Sequence, residues 1–404
     1  MKSVICIAGL LSALAAGTAA AQTPSPDTSL IGAVVSGKPI LEARLRYEGV
    51  DQANFTRSAE ALTLRSRIGW ETKAWSGLSG LIEIENVSHA DGRFNDTVNR
   101  KTLYPGVNDP DVTELNRLQL AWAPSRDVQM VVGRQRLTLD DQRFISYSNW
   151  RQDEQTFDAA WLDARHGAFS ATYVYIAKAN RTLAQSADYT SASHVLNAYY
   201  TASPALKLEG FVYALDLKQA PAASTQTLGL KATGQFKAGV FKLAYAAAWA
   251  NQTDYASNPA HYRVPYAMGE LAASWSLYTA KLNYESLGSD GRRGFATPLA
   301  SLHGFQGWAD AFTTTPARGV DDLNLSLTAN PPVKLPYLSQ VQLMARHHDF
   351  TYAQGSGSLG TEWNFGAQGA VTPHLTALID YADYHGVAAV PGRRKLWLQL
   401  EYRY

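Results

Sequence analysis

The last ten residues, Lys395-Leu396-Trp397-Leu398-Gln399-Leu400-Glu401-Tyr402-Arg403-Tyr404, decide the fold. In an extended chain Leu396, Leu398, Leu400, Tyr402 and Tyr404 fall on one side. Lys395, Trp397, Gln399, Glu401 and Arg403 fall on the other. Successive side chains of a strand point to opposite faces, so this alternation predicts a β-strand. A strand this apolar at a free edge would aggregate in a soluble protein. In a closed barrel that crosses a membrane, one face meets lipid and the other meets the lumen.

The same pattern runs back through the chain. Leu41, Ala43, Leu45 and Tyr47 alternate with Glu42, Arg44, Arg46 and Glu48. Leu62, Leu64, Ile68 and Trp70 alternate with Thr63, Arg65 and Arg67, and Ile82 and Ile84 with Glu83 and Glu85. Leu118 and Leu120 alternate with Arg117 and Gln119, and Ala280, Leu282 and Tyr284 with Lys281, Asn283 and Glu285. About eighteen such segments can be read. They begin near Leu41, Ala61, Leu78, Leu115, Val128, Gln155, Ala168, Ser193, Leu206, Thr225, Gly239, Pro265, Leu277, Val320, Tyr337, Thr361, His374 and Arg394. After the first strand every second connection is short, and those between are longer, with the longest over residues 87–114 and 287–319. The expected fold is therefore all-β: a transmembrane antiparallel up-and-down β-barrel with short periplasmic turns, long extracellular loops and both ends on the periplasmic rim. A propeller would show a four-strand repeat, and a soluble sandwich would not need an apolar stripe on nearly every strand.

The N-terminus supplies the address. Lys2, an apolar run over residues 4–16 and Ala19-Ala20-Ala21-Gln22 have the order of a secretory signal with its cleavage site. Expected units are a signal peptide at 1–21, a periplasmic segment at 22–40 and the barrel at 41–404, in the outer membrane of a Gram-negative cell. Cys6 is the only cysteine and leaves with the signal, which removes disulfides and cysteine-based chemistry. No later segment reaches the eighteen or so apolar residues of a membrane helix, and mean hydropathy is −0.21. A net charge of +1 gives no case for nucleic acid.

A barrel of this size can hold a water-filled channel unless loops fold in. Its predicted inner face carries Arg44, Arg46, Arg65, Arg67 and Arg117, joined by Arg134 and Arg136 if Met130 and Val132 point inward or a bulge shifts the register. Glu83, Glu85 and Asp158 stand on neighbouring strands. Two readings stay open: an electropositive path for an anion, or cross-strand ion pairs that stiffen the wall. The loop at 87–114 has carboxylates without a regular calcium spacing, and no metal or other cofactor is expected. The loop at 287–319 holds His303, Trp308 and Asp310 among glycines and aromatics, a composition suited to a constriction at the pore mouth. His347 and His348 are adjacent on a strand, so their rings point to opposite faces. No nucleophile elbow or zinc-protease pair is present, so no enzyme is expected.

At Asn116-Arg117-Leu118-Gln119-Leu120-Ala121-Trp122, at Val132-Gly133-Arg134-Gln135-Arg136-Leu137, and at Leu302-His303-Gly304-Phe305-Gln306-Gly307-Trp308-Ala309-Asp310 the chain resembles the alginate export family of outer-membrane porins. The resemblance implies a monomeric eighteen-strand barrel whose arginine-rich constriction conducts an anionic polysaccharide, with Arg134 and Arg136 carried over first. It departs at one point. The best-known alginate exporters cover the channel entrance with a long periplasmic turn between strands sixteen and seventeen, and here that turn is only residues 370–373. The expected activity is passive, anion-selective diffusion of a saccharide or other small anion, with alginate or another uronate polymer among the candidates. The alternatives are a structural or surface-interaction barrel with a loop-plugged lumen, or an outer-membrane hydrolase. Expected partners are outer-membrane lipid, lipopolysaccharide, the barrel-assembly machinery through the Tyr404 strand, and the anionic solute.

Overall fold

A computed structural model describes residues 29–333 and 335–404. The expected signal peptide lies outside the described residues. A six-residue helix, α1 (Leu30–Val35), precedes eighteen strands. They are β1 (Lys38–Gln52), β2 (Ala59–Glu71), β3 (Leu78–Arg93), β4 (Val112–Trp122), β5 (Val128–Gln135), β6 (Thr156–His166), β7 (Phe169–Asn180), β8 (Tyr189–Ser203), β9 (Leu206–Leu215), β10 (Thr225–Ala238), β11 (Phe241–Asp254), β12 (Arg263–Trp275), β13 (Tyr278–Leu287), β14 (Val320–Ala329), β15 (Ser339–Thr351), β16 (Ser358–Ala370), β17 (Leu375–His385) and β18 (Arg393–Arg403).

Each strand pairs antiparallel with its neighbours in sequence, and β1 pairs with β18 to close the barrel. The seam runs from Glu42 opposite Arg403 to Gln52 opposite Arg393. Tyr404 adds one more bond, its amide donating to the Leu41 carbonyl at 3.0 Å. Closure leaves no unpaired edge, a requirement for strands in lipid, where water cannot satisfy a free amide. Every expected strand start lies within four residues of an observed one.

The alternation sorts side chains as expected. Leu64, Ile68, Ile82, Ile84, Leu118 and Leu120 stand exposed on the outer wall. Arg65, Arg67, Glu83 and Glu85, between them in sequence, are buried inside. His348 is buried and hydrogen-bonded to Asp322, while His347 packs beside the exposed Trp363 on the outer wall. Trp75, Trp122, Phe169, Trp275, Tyr278 and Tyr402 are exposed near the short-turn rim, as an aromatic girdle at a membrane interface requires. The short turns use tight hairpin chemistry. Gly167, between β6 and β7, has φ +58, a conformation that suits the right-handed twist of the flanking strands and that glycine adopts without strain.

The opposite rim carries the long connections. Two of them, residues 136–155 between β5 and β6 and residues 288–319 between β13 and β14, turn into the barrel. Leu137, Leu139 and Ile145 of the first meet Phe295, Leu299, Ala309 and Phe312 of the second. Together with Phe157, Phe211, Tyr266, Phe350 and Trp397 from the wall they form a buried apolar core inside the barrel. Backbone bonds tie the loops to each other: the Ser146 amide donates to the Leu299 carbonyl at 2.9 Å.

Candidate functional site

The inner wall made by β18 and β1–β4 carries most of the arginines singled out from the sequence. They form one connected lattice. Arg44 and Arg65 each donate to the Glu401 carboxylate at 2.9 Å. Arg67 reaches Glu42 at 3.2 Å and Glu154 at 2.7 Å, and also bonds Glu85. Arg117 grips both oxygens of Glu83, at 2.9 and 2.6 Å, in the planar fork that suits guanidinium. The pairing depends on a bulge. Glu83 lies opposite Arg117 while Ile84 lies opposite Leu115, so Asn116 is the extra residue on β4. Asn116 also turns inward and donates to Glu83 and Glu154, both at 2.7 Å.

The inward loop at 136–155 lies directly on this lattice. Arg44 donates to the Asn149 carbonyl at 2.9 Å and Arg46 to the Trp150 carbonyl at 2.5 Å. Gln152 reaches Thr63 on β2 at 2.9 Å. Arg44, Arg46, Arg65 and Arg67 are consequently all at or below 3 % exposure. A guanidinium is costly to bury unless its donors are taken up, and here carboxylates and loop carbonyls take them up. These side chains hold the loop against the wall and do not line open water.

Arg134 and Arg136, two residues apart, go to different places. The pairings of β5 with β4 and β6 run without a break from Met130 to Arg134. Met130 and Val132 are exposed on the outer wall, and Arg134 shares their parity. It pairs with Asp158 at 2.7 Å, which in turn lies opposite Lys178 on β7. Neither of the two arrangements considered from the sequence occurs, since no bulge separates these residues and no valine turns in. Gly133, at φ +113, bends the strand end, and a β-carbon there would run into the Leu118 carbonyl. Arg136 lies just beyond β5, where the chain has already turned inward, and donates to Glu154 at 2.6 Å.

His303, Trp308 and Asp310 come together where the second inward loop meets β18 and the first loop. The His303 ring stacks on Trp150 at 3.9 Å, and the Arg46 guanidinium lies over the Trp150 ring at 4.2 Å. Trp308 follows at 6.2 Å from His303. Asp310 is the centre of charge. It accepts from His303 Nδ1 at 2.9 Å, Lys395 Nζ at 2.6 Å and Arg151 Nη2 at 3.0 Å. Arg151 also bonds Glu48 on β1 at 3.0 Å. Burial pushes the Asp310 carboxyl up, but Lys395, His303 and Arg151 overcome it and hold the group well below the usual carboxylate range. Burial also pulls the His303 imidazole below its ordinary value, against the attraction of Asp310. Asp310 sits at φ +58, a conformation costly for a residue with a side chain and sustained here by this clamp.

Below the two loops, on the short-turn side, a cavity of about 1610 Å³ opens. Its lining comes from β6–β15 and the undersides of the loops, including Asp140, Asp141 and Phe305. Two of its lysines are paired, Lys231 with Asp141 at 2.7 Å and Lys281 with Glu270 at 3.0 Å. Arg346 donates to the Gly304 carbonyl at 3.2 Å, and its Nε has no partner. Four further cations line the same vestibule and make no ion pair among the described residues: Arg165, Lys207, Lys237 and Lys242. Lys237 lies directly opposite Lys242 across the β10–β11 hairpin. Like charges placed so repel and favour an anion between them. Sequence reading did not single out these lysines, although the inward parity of β10 and β11 was the signal that could have found them. Among the described residues no group of three or more His, Cys, Asp or Glu is arranged to hold a metal.

A family model described as alginate export matches residues 41–263. No curated protein matches the chain. Among solved structures the barrel is similar to OpdK of Pseudomonas aeruginosa, solved with vanillate, with a TM-score of 0.72 and 11% identity over 92% of this chain and 100% of that one. OccK9 (OpdG) of the same organism gives 0.69 and 12%, over 92% and 100%. OccAB4 of Acinetobacter baumannii gives 0.68 and 12%, over 91% and 98%. At these identities the likeness is one of fold.

Proposed function

The chain belongs to the alginate export family, and from that premise we propose that it is a channel of the Gram-negative outer membrane through which a small anionic solute diffuses passively. The closed barrel with its lipid-facing stripe and aromatic girdle supports the location. The observation that carries the anion preference is the vestibule, where Arg165, Lys207, Lys237 and Lys242 face water unpaired. Unpaired cations in a low-dielectric cleft raise the local concentration of anions and speed their entry. A uronate-type saccharide fits that chemistry, with carboxylates for the lysines and ring faces for Tyr199 on the wall and Phe305 on the loop above it.

In this reading the buried strand arginines act as a brace, and the vestibule cations act on the solute. Lys207 already lies 3.9 Å from the Tyr199 ring, which holds its ammonium in the cavity. Family and fold are of the channel type, so the hydrolase alternative has no support in them.

A second reading has its own observation. The two inward loops share a continuous apolar core with the wall, as a loop-plugged structural barrel would require. Planar-bilayer recording separates the two. A channel gives discrete conductance steps and is blocked by an added oligouronate from the short-turn side, where the vestibule opens. A plugged barrel gives no steps. Steps with cation preference and no block by polyanions would overturn the anion reading.

A further inference from the structure

Helix α1 has its amphipathicity reversed for a helix in water. Its small residues Gly32 and Ala33 face the protein, and Ala33 is buried. Leu30, Ile31, Val34 and Val35 all point away, exposed by 53, 76, 45 and 73 %. These four are spaced i, i+1, i+4 and i+5, a single stripe of a helix. No charged residue stands between Ser29 and Lys38.

The place where α1 sits says what covers that stripe. The Trp70 indole donates to the Val34 carbonyl at 2.8 Å, and the Lys73 amide donates to the Ala33 carbonyl at 3.0 Å. Trp70 has the outward parity of Leu64 and Ile68 on β2, and Ile68 is exposed to the lipid side. The helix therefore lies against the outer wall at the short-turn rim, not under the lumen. Trp75 and Trp122 of the aromatic girdle are exposed on the adjoining turn and strand. The apolar stripe is continuous with the surface that lipid already covers. Ser29 caps the first turn through its hydroxyl, at 3.0 Å from the Gly32 amide, so the short helix is closed at its start.

We propose that α1 is an interfacial anchor that lies in the periplasmic leaflet of the outer membrane, with Leu30, Ile31, Val34 and Val35 in the phospholipid. The occupant of the apolar face is a lipid surface. Part of the segment expected from sequence to be periplasmic is then held in the membrane interface. An amphipathic helix of this kind lies in the plane of the membrane with its apolar face a few ångströms into the acyl boundary. It also fixes the start of β1, the strand that closes the barrel against β18.

The test uses single cysteines in the full chain carrying Cys6→Ser. Nitroxide labels are placed at Ile31→Cys or Val35→Cys, at Ile68→Cys as the lipid-facing reference and at Val240→Cys, on an exposed short turn, as the aqueous reference. Folding of each variant is verified by its heat-modifiable migration. In phosphatidylethanolamine–phosphatidylglycerol vesicles the labels at 31 and 35 are expected to favour oxygen over a water-soluble nickel relaxant, as at 68. Accessibility to nickel as high as at 240 would overturn the proposal. So would a label shielded from both reagents, which would place a protein surface on the helix. A variant that fails to fold is replaced by Leu30→Cys, read in the same way. Conductance plays no part in the readout, so the outcome is independent of the channel reading.

Discussion

On the wall of β18 and β1–β4, the inward arginines meet carboxylates or loop carbonyls, and water is excluded from them. On the wall of β6–β13, Arg165, Lys207, Lys237 and Lys242 stand in a cavity of about 1610 Å³ without an ion partner among the described residues. Both walls carry inward cations, yet these do different physical work. A buried, paired guanidinium fixes geometry, because breaking the pair leaves an uncompensated charge in a low dielectric. An exposed, unpaired ammonium contributes little to stability, and its field reaches the solute. Charge count along a strand therefore says less about selectivity than which charges the loops cover.

The largest effect is expected on the braced wall. Arg67→Met takes one shared cation from Glu85, Glu154 and Glu42 together, and a loss of about 3–5 kcal/mol is expected for a broken buried pair. Urea titration followed by heat-modifiable migration reads it. The ion selectivity of the molecules that fold should not change.

Asp310→Asn is expected to cost less, on the order of 1.5–3 kcal/mol, because the amide oxygen can still accept from Lys395 and Arg151 while its NH2 donates to a neutral His303 Nδ1. Its signature is in the channel, where the loop at 288–319 loses its clamp and open events lengthen. Acid should have the same effect. The folded Asp310 carboxyl is held below its unfolded value, so its contribution is full above about pH 4 and is lost as pH falls through the folded value. His303, also lowered in the folded state, has the same sign: its contribution is present above its unfolded value and fades as pH falls through the folded one. Recording at stepped pH should show a quiet channel near neutrality and longer openings at strongly acidic pH.

On the vestibule wall, reversing Lys237 and Lys242 to Glu should leave stability within about 0.5 kcal/mol and shift the reversal potential toward cations. The smallest effect on selectivity belongs to Arg134→Glu, which loses the ion pair with Asp158. Its side chain shares the outward parity of Met130 and Val132, so selectivity should not move.

The fold was legible in the sequence because lipid on one side and charge on the other impose period two on every strand, as in Leu396 to Tyr404. Register was less so. Asn116 is an extra residue that alternation cannot reveal, and it alone lets Arg117 and Asn116 share Glu83. At Arg134 the plain alternation held, and the family string drew attention to a residue that the backbone turns outward. The site was least legible. Whether Arg65 or Lys237 meets water depends on where residues 136–155 and 288–319 fold, and their resting places are set by contacts such as Trp150 with His303, far apart in sequence. Lys207, Lys237 and Lys242 carry no string to mark them, and only the cavity around them does.

If the unpaired vestibule cations select the solute and the buried arginines do not, ion selectivity must follow the lysines. The direct measurement is the reversal potential of single channels under a potassium chloride gradient, for the natural chain and for Lys207→Glu combined with Lys237→Glu and Lys242→Glu. Anion preference in the first, abolished or inverted in the second, is the predicted result. A cation-selective natural channel, or a preference that the triple reversal leaves unchanged, would contradict it.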